Sequence, residues 1–270
     1  MASQLQPATF AGITALFHRV SGIRLVESKQ ALVYGRLQKL ALDCGQGADV
    51  EAFAQKFIRG EVPERLLADL VDRLTTNETY FFREPQHFDD LAVRAAAAKS
   101  AGEFNVWSAA SSSGEEAYSI AMLLGDRLGL SHPWQIHGTD LSTAMVEAAK
   151  VGLYPMERAR NVPADYLKRF CLKGQGPYAG QVLMMKELRA KARFQTANLM
   201  QPLPTSLPRF DVIFLRNVLI YFDGPAKADI VRRVIERLKP DGVLYTGHAE
   251  SLTGLDLPLR AVASAIYQHG

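Results

Sequence analysis

Two adjacent glutamates, Glu115 and Glu116, follow a run of small residues, Ala109-Ala110-Ser111-Ser112-Ser113-Gly114, within FNVWSAASSSGEEAY (104–118). This reads as a buried strand, a tight turn and a helix start, the arrangement with which open α/β sheets hold a nucleoside. The turn has one glycine, so the GxGxxG pattern that lets backbone close on a pyrophosphate is missing, and no GxxxxGK[ST] phosphate loop occurs. A ligand without phosphate relaxes the glycine requirement. It also tolerates acids at the helix start, which would repel a phosphate but suit the cationic amine or sulfonium of S-adenosylmethionine. The plainer account is that the acids complement the helix dipole. We read one glutamate as doing that and the other as meeting the ligand.

Other chemistry-bearing residues recur at strand ends. Asp140 closes the apolar run QIHGTD, where nucleoside-binding folds place an acid for the ribose hydroxyls; a strand-end Asp that caps the next helix is the alternative. Asn198 and Leu199 follow ARFQTA, a position from which an amide reaches an adenine edge. FDVIFLRNVLIYF (210–222) is an apolar strand ending in Arg216-Asn217, with Tyr221 expected one helical turn beyond Asn217. Upstream, TTNETYFFREP (75–85) is expected to hold a short helix that is capped by Thr75, Thr76 or Asn77 and ended by Pro85. On such a helix Thr79 and Arg83 share a face and, with Asn77, turn toward a ligand. An aromatic hinge between domains is the alternative reading.

These residues need a frame. From Phe104 onward, strands expected at 104–109, 135–140, 192–197, 210–215 and 242–248 alternate with helices at 114–129, 142–151 and 226–239. That alternation predicts a mostly parallel sheet with right-handed crossovers, closed by an antiparallel strand in LRAVASAIYQHG. A helix over about 86–101 leads into the first strand. The glycine-rich stretch KGQGPYAGQVLMMKEL within 165–191 breaks the pattern and predicts a small inserted β-subdomain rather than a long bare loop. Residues 1–73 read as four helices: one carrying Phe10, Ile13, Leu16, Phe17 and Val20, one from a Ser28 cap to Asp43, and two over 48–59 and 63–73. The second helix carries Lys29, Arg36 and Lys39 and no acid before Asp43, so it is either a solvated face or a contact surface for an acidic partner.

Composition narrows the classes. The chain has 270 residues, 48% hydrophobic and 22% charged, and a formal net charge of +3, too small by itself to argue for nucleic acid. No apolar run reaches the ~18 residues of a membrane span, and the N-terminus shows no secretory pattern. Two distant cysteines fit a reducing cytosol, and six histidines without HExxH or Cys/His clustering predict no metal site.

TNETYFFRE, WSAASSSGEEAYSIA, GTDLS, FLRNVLIYF and LKPDGVLYTGHAES together resemble the CheR family, S-adenosylmethionine-dependent glutamate methyltransferases of bacterial chemoreceptors. The resemblance covers nearly the whole chain. It implies a helical N-terminal receptor-recognition domain (1–73), a class I methyltransferase domain (74–270) with a Rossmann-like, mostly parallel seven-stranded sheet, and the inserted β-subdomain. It implies cofactor contacts at Asn77, Thr79, Arg83, Glu116, Asp140, Asn198, Leu199, Arg216 and Asn217, with Tyr221 beside the reacting methyl and S-adenosylhomocysteine as product. It also implies that Lys29, Arg36 and Lys39 face the acidic cytoplasmic helices of a receptor. The loop with Gly176 and Gly180 resembles that of members that capture a receptor C-terminal peptide. Ala117 and Ser113 depart from the family's commoner proline and threonine. A monomer in the cytoplasm, with no membrane insertion and no nucleic acid, is the accompanying expectation.

A glutamate nucleophile, whose side chain ordinarily titrates at about 4.3, is ionised at pH 7 and needs no general base. Arg83 would then position that carboxylate and Tyr221 orient the pair. The rival readings are a nucleic-acid methyltransferase, which a steep salt dependence would reveal, and a receptor-binding scaffold without catalysis.

Overall fold

Prolines and glycines punctuate the chain in the computed structural model, which describes residues 4–47, 49–98 and 102–270. The first residue of the helix expected over 48–59 and the last three of that expected over 86–101 lie outside the described residues. Two compact units result, Met1–Thr76 and Asn77–Gly270. In the first, α1 (Pro7–Ser21) starts on a proline and stops where Gly22 turns left-handed at φ 76° and donates its N–H to His18 O. Helix α2 (Gln30–Asp43) buries Val33, Leu37, Leu40 and Ala41. Ser28 does not cap it: Glu27–Lys29 forms a 3-10 turn first, and no side chain caps α2. In α3 (Val50–Ile58) the Asp49 carboxylate accepts from Ala52 N–H, and α4 (Glu64–Leu74) buries Leu70, Val71 and Leu74.

In the second unit, the segment expected to be a short helix ended by Pro85 is irregular instead, with a turn at Phe81-Phe82 and left-handed φ at Phe82 and Glu84, and Pro85 opens α5 (Pro85–Ala98). Proline lacks an N–H and is tolerated in a first helical turn, so it marks a start as readily as a stop. Thr79 and Arg83 therefore share no helical face. The chain continues through β1 (Phe104–Ser108), α6 (Glu115–Arg127), β2 (Trp134–Asp140), α7 (Thr143–Val151), β3 (Leu153–Pro155), α8 (Ala164–Phe170), β4 (Cys171–Lys173), β5 (Gln181–Met184), α9 (Lys186–Lys191) and β6 (Ala192–Thr196). It ends with β7 (Phe210–Leu215), α10 (Gly224–Ile235), β8 (Leu238–Thr246), β9 (Leu259–Ala263) and β10 (Ile266–His269).

Seven strands form one sheet in the order β6-β2-β1-β7-β8-β10-β9, parallel except for β10, which runs antiparallel to β8 and β9. This is the mostly parallel sheet with a closing antiparallel strand that the alternation predicted, and its order fits the class I methyltransferase sheet that the resemblance implied. Strand β1 is buried along its whole length, as a strand covered on both faces must be. Strand β8 starts four residues before its predicted position, because Leu238 pairs with Phe210 ahead of a register shift. A separate antiparallel sheet, β3-β5-β4, forms the inserted subdomain. Its first strand, at Leu153, precedes the predicted start at 165; three residues joined to a helix end carry too little pattern to be read as a strand.

Candidate active site

In an open α/β sheet, ligands bind beyond the carboxyl ends of the strands where the winding reverses, here between β1 and β7. The turn after β1 is tied to both neighbouring strands: Ala109 N–H donates to Phe214 O at 2.8 Å and Ser111 N–H to Thr139 O at 2.9 Å. Gly114 is the one position in the turn where glycine is required. Its φ is +95°, and a Cβ there would lie 2.9 Å from Ala149 Cβ.

Asp140, at the end of β2, joins two turns. Its Oδ2 accepts from Ser112 N–H at 2.8 Å and its Oδ1 from Ser142 N–H at 2.9 Å, while Ser142 Oγ caps α7. Asn198 follows β6, the strand paired with β2; its Oδ1 accepts from Met200 N–H at 2.9 Å, and the buried Leu199 has its carbonyl held by Arg233.

The two glutamates of α6 have separate partners. Glu115 is fully buried, accepts from Ser113 Oγ at 2.7 Å and pairs with Arg158 at 2.7 Å. Glu116 turns toward β7, accepting from Ser108 Oγ at 2.7 Å and pairing with Arg216 at 3.1 Å. Burial pushes both carboxyl groups above the usual range; Arg158 and Ser113 oppose it at Glu115, Arg216 and Ser108 at Glu116.

The Arg216 guanidinium is fully buried and also meets Glu84 at 3.1 Å and Arg83 O. Burial disfavours ionisation of Glu84, yet the Arg216 charge and donors from Asn217 and Arg216 outweigh it, and the carboxyl lies below the usual range. Asn217 has a left-handed φ of 58° and donates from Nδ2 to Glu84 Oε1 at 3.3 Å. Tyr221 lies in a 3-10 turn, Leu219–Tyr221, rather than one α-helical turn past Asn217.

The segment 77–84 belongs to the same unit as this sheet. Asn77 O accepts from Ser112 Oγ at 3.0 Å, Thr79 O from Arg158 Nη2 at 3.3 Å, and Phe82 N–H donates to Ser119 Oγ at 2.9 Å. Of the three consecutive aromatics, Phe81 enters the core while Tyr80 is exposed, with the Arg83 guanidinium 5.5 Å from its ring centroid. Arg83 Nη1 donates to Glu78 O at 3.3 Å.

The structure thus gathers Asn77, Glu116, Asp140, Arg216 and Asn217 around the turns that follow β1, β2 and β7. Gly176 and Gly180, with φ of 55° and 81°, sit in the β4–β5 connection of the small sheet. In the first unit Lys29 and Lys39 are exposed, whereas Arg36 is half-buried and donates to Arg73 O and Thr75 O at the end of α4. Arg36 therefore serves the fold of its unit before any partner.

Four residues outside the sequence reading also belong here: Glu84, His87, Arg158 and Glu250. Glu84 and Glu250 stand inside quoted motifs, FFRE and HAES, but nothing in their spacing announces burial. His248 is exposed just past β8. Among the described residues, Glu84, His87 and His248 bring ligand-type atoms within 4.8 Å of one another, although no motif predicted a metal site. The Arg216 guanidinium, 3.1 Å from the same Glu84 carboxylate, opposes a cation there.

The acids at the α6 start and the buried strand-end aspartate fit a phosphate-free nucleoside with a cationic arm. The family model of the CheR methyltransferase SAM-binding domain matches residues 77–267. The chain belongs to the CheR methyltransferase family. It is 37% identical over 262 residues to chemotaxis protein methyltransferase 2 of Pseudomonas aeruginosa, covering 96% of this chain and 91% of that protein. It is 37% identical over 264 residues to the chemotaxis protein methyltransferase of Escherichia coli, covering 97% of this chain and 91% of that one. A glycopeptide N-methyltransferase solved with sinefungin superposes with a TM-score of 0.38 at 15% identity, over 73% of this chain and 61% of its own; the fold assignment rests on the strand order instead. As a CheR-family member the chain is an S-adenosylmethionine-dependent methyltransferase of the chemotaxis type. No helix among the described residues is long and apolar enough to cross a membrane.

Proposed function

We propose that this chain methylates glutamate side chains in the cytoplasmic helical domain of chemoreceptors, forming glutamate methyl esters in chemotactic adaptation. Bound S-adenosylmethionine supplies a sulfonium-activated methyl group and leaves as S-adenosylhomocysteine. The observation that carries the reading is the Glu116–Arg216–Glu84 network at the winding switch, in a chain whose relatives are chemotaxis protein methyltransferases. Asn77, Thr79, Glu116, Asp140, Asn198, Leu199, Arg216 and Asn217 hold the cofactor. Glu116 supplies negative charge at the α6 start, and Asp140 orders the two turns that face the ribose.

The substrate carboxylate arrives ionised, so the site needs no base. Arg83 positions it. Its guanidinium touches a backbone carbonyl and an aromatic face rather than an acid, so a carboxylate is a fitting partner. A tight bidentate clamp would stabilise the incoming anion as much as the transition state, so single-oxygen contact suits the reaction better. Tyr221 orients the carboxylate in line with the methyl group, and exclusion of water favours charge dispersal.

Transfer of labelled methyl from S-adenosylmethionine to purified receptor cytoplasmic domains tests this. The expected label is alkali-labile and maps to glutamates; no transfer, or label on other residues, overturns it.

Lys29 and Lys39 give the receptor an exposed basic contact. A receptor C-terminal peptide adds to the edge strand β4, beside the exposed Leu172 and Tyr178 and the loop of Gly176 and Gly180. Tethering of this kind raises local substrate concentration. Calorimetry with receptor tail peptides decides it, and the absence of heat with every tail removes this role. The chain acts as a monomer in the cytoplasm, which sedimentation and cell fractionation check.

A further inference from the structure

Glu250 lies past the end of β8 and is only 4% exposed. Its carboxylate accepts three backbone N–H groups: Oε2 takes those of Asn217 and Gly247 at 2.5 and 2.7 Å, and Oε1 takes that of Ile220 at 3.2 Å. Two of the three donors belong to the turn that carries Arg216, Asn217 and Tyr221. Within it, Asn217 adopts the left-handed φ of 58°, which a non-glycine residue keeps only when its surroundings over-determine it. Those surroundings are two carboxylates from distant parts of the chain, Glu250 on the Asn217 backbone and Glu84 on its side chain. Gly247 leaves room for the junction: a Cβ there would stand 2.6 Å from Glu250 Oε2 and 2.7 Å from Asn217 Nδ2.

We propose that Glu250 is a positioning residue for methyl transfer, setting the 216–221 turn through its N–H groups and so placing Arg216 and Tyr221. The inference rests on the proposed function and deepens it. A buried carboxylate suits the task because it accepts from several amides at once and fixes them in one geometry, where a neutral side chain offers fewer lone pairs. Misplacement of a reacting group by about 1 Å costs on the order of 100-fold in rate.

Three variants of the full chain test it: Glu250→Ala, Glu250→Gln, which keeps one acceptor oxygen, and Gly247→Ala, which crowds the junction and leaves the carboxylate in place. Two readouts apply: the single-turnover rate at saturating S-adenosylmethionine and receptor, and hydrogen exchange followed by mass spectrometry. Expected are rate losses of about 100-fold for Glu250→Ala and about tenfold for the other two. Exchange should accelerate in the 216–222 peptide and stay unchanged in peptides from β1. Acceleration across β1 and α6 as well, or failure of all three variants to fold, assigns Glu250 to the fold at large and overturns the positioning role. Wild-type rates in variants with a loosened turn overturn it too. A wild-type chain that methylates no receptor sinks the proposed substrate instead, so the two failures are distinct.

Discussion

Nη1 of Arg216 stands 3.1 Å from Oε2 of Glu116 and joins the end of β7 to the first turn of α6. The guanidinium is fully buried and also pairs with Glu84, so removing Glu116 leaves it one carboxylate instead of two and leaves Nη1 without its acceptor. Glu116→Ala is expected to destabilise the chain by about 1–3 kcal/mol in urea denaturation. It should also weaken S-adenosylhomocysteine binding by roughly tenfold or more in calorimetry, equivalent to about 1.4 kcal/mol. Retained affinity would remove Glu116 from the cofactor site.

Gly114→Ala tests the turn itself. The left-handed φ and the 2.9 Å approach to Ala149 Cβ act together. A loss of about 1–3 kcal/mol is expected from the backbone conformation, with more from the crowding. Denaturation and cofactor affinity should fall together; an unchanged melting temperature would show that the turn relaxes freely.

Arg83→Ala separates chemistry from folding. The side chain is half-buried and makes one hydrogen bond, at 3.3 Å. Stability should stay within about 0.5 kcal/mol of the parent, while single-turnover methylation slows by about 100-fold at saturating receptor. An unaltered rate would take Arg83 out of the mechanism.

His87 makes stability depend on pH. Burial, then the charge of Arg216, lowers its pKa from 6.5 to about 4. Between those values the unfolded chain binds a proton that the folded chain refuses, so stability falls as pH drops from 6.5 toward 4. His137, also lowered to about 4 by burial and Arg193, adds a slope of the same sign. Glu115 and Glu116, raised by burial, act in the opposite sense around and above the ordinary carboxylate range. His87→Phe, which keeps a ring against Tyr245, should remove roughly half of the histidine-linked slope in urea midpoints taken across this window. A slope identical to the parent's would show that His87 does not titrate with folding.

Much of the architecture is written locally. The strands expected at 104–109, 135–140 and 210–215 match β1, β2 and β7 within a residue or two, because central strands covered on both faces read as short runs rich in apolar and small side chains. Asp140, Asn198 and Arg216-Asn217 stand at or just past strand ends by the same pattern, since a polar residue closing such a run falls at the carboxyl end of the strands. Pro85 and Ser28 mislead for a local reason: proline permits a helix start as well as a stop, and a serine caps only if the chain turns helical directly after it.

By itself, then, the sequence determined a mostly parallel α/β sheet, a phosphate-free nucleoside turn and membership of a methyltransferase family through five ordered motifs. Only the tertiary structure decided which charges meet. Arg216 lies 100 residues from Glu116 and Asn217 lies 33 from Glu250, and neither separation carries a periodicity that composition or spacing could reveal. Strand order brings those ends together, and burial then makes each charge depend on its partner.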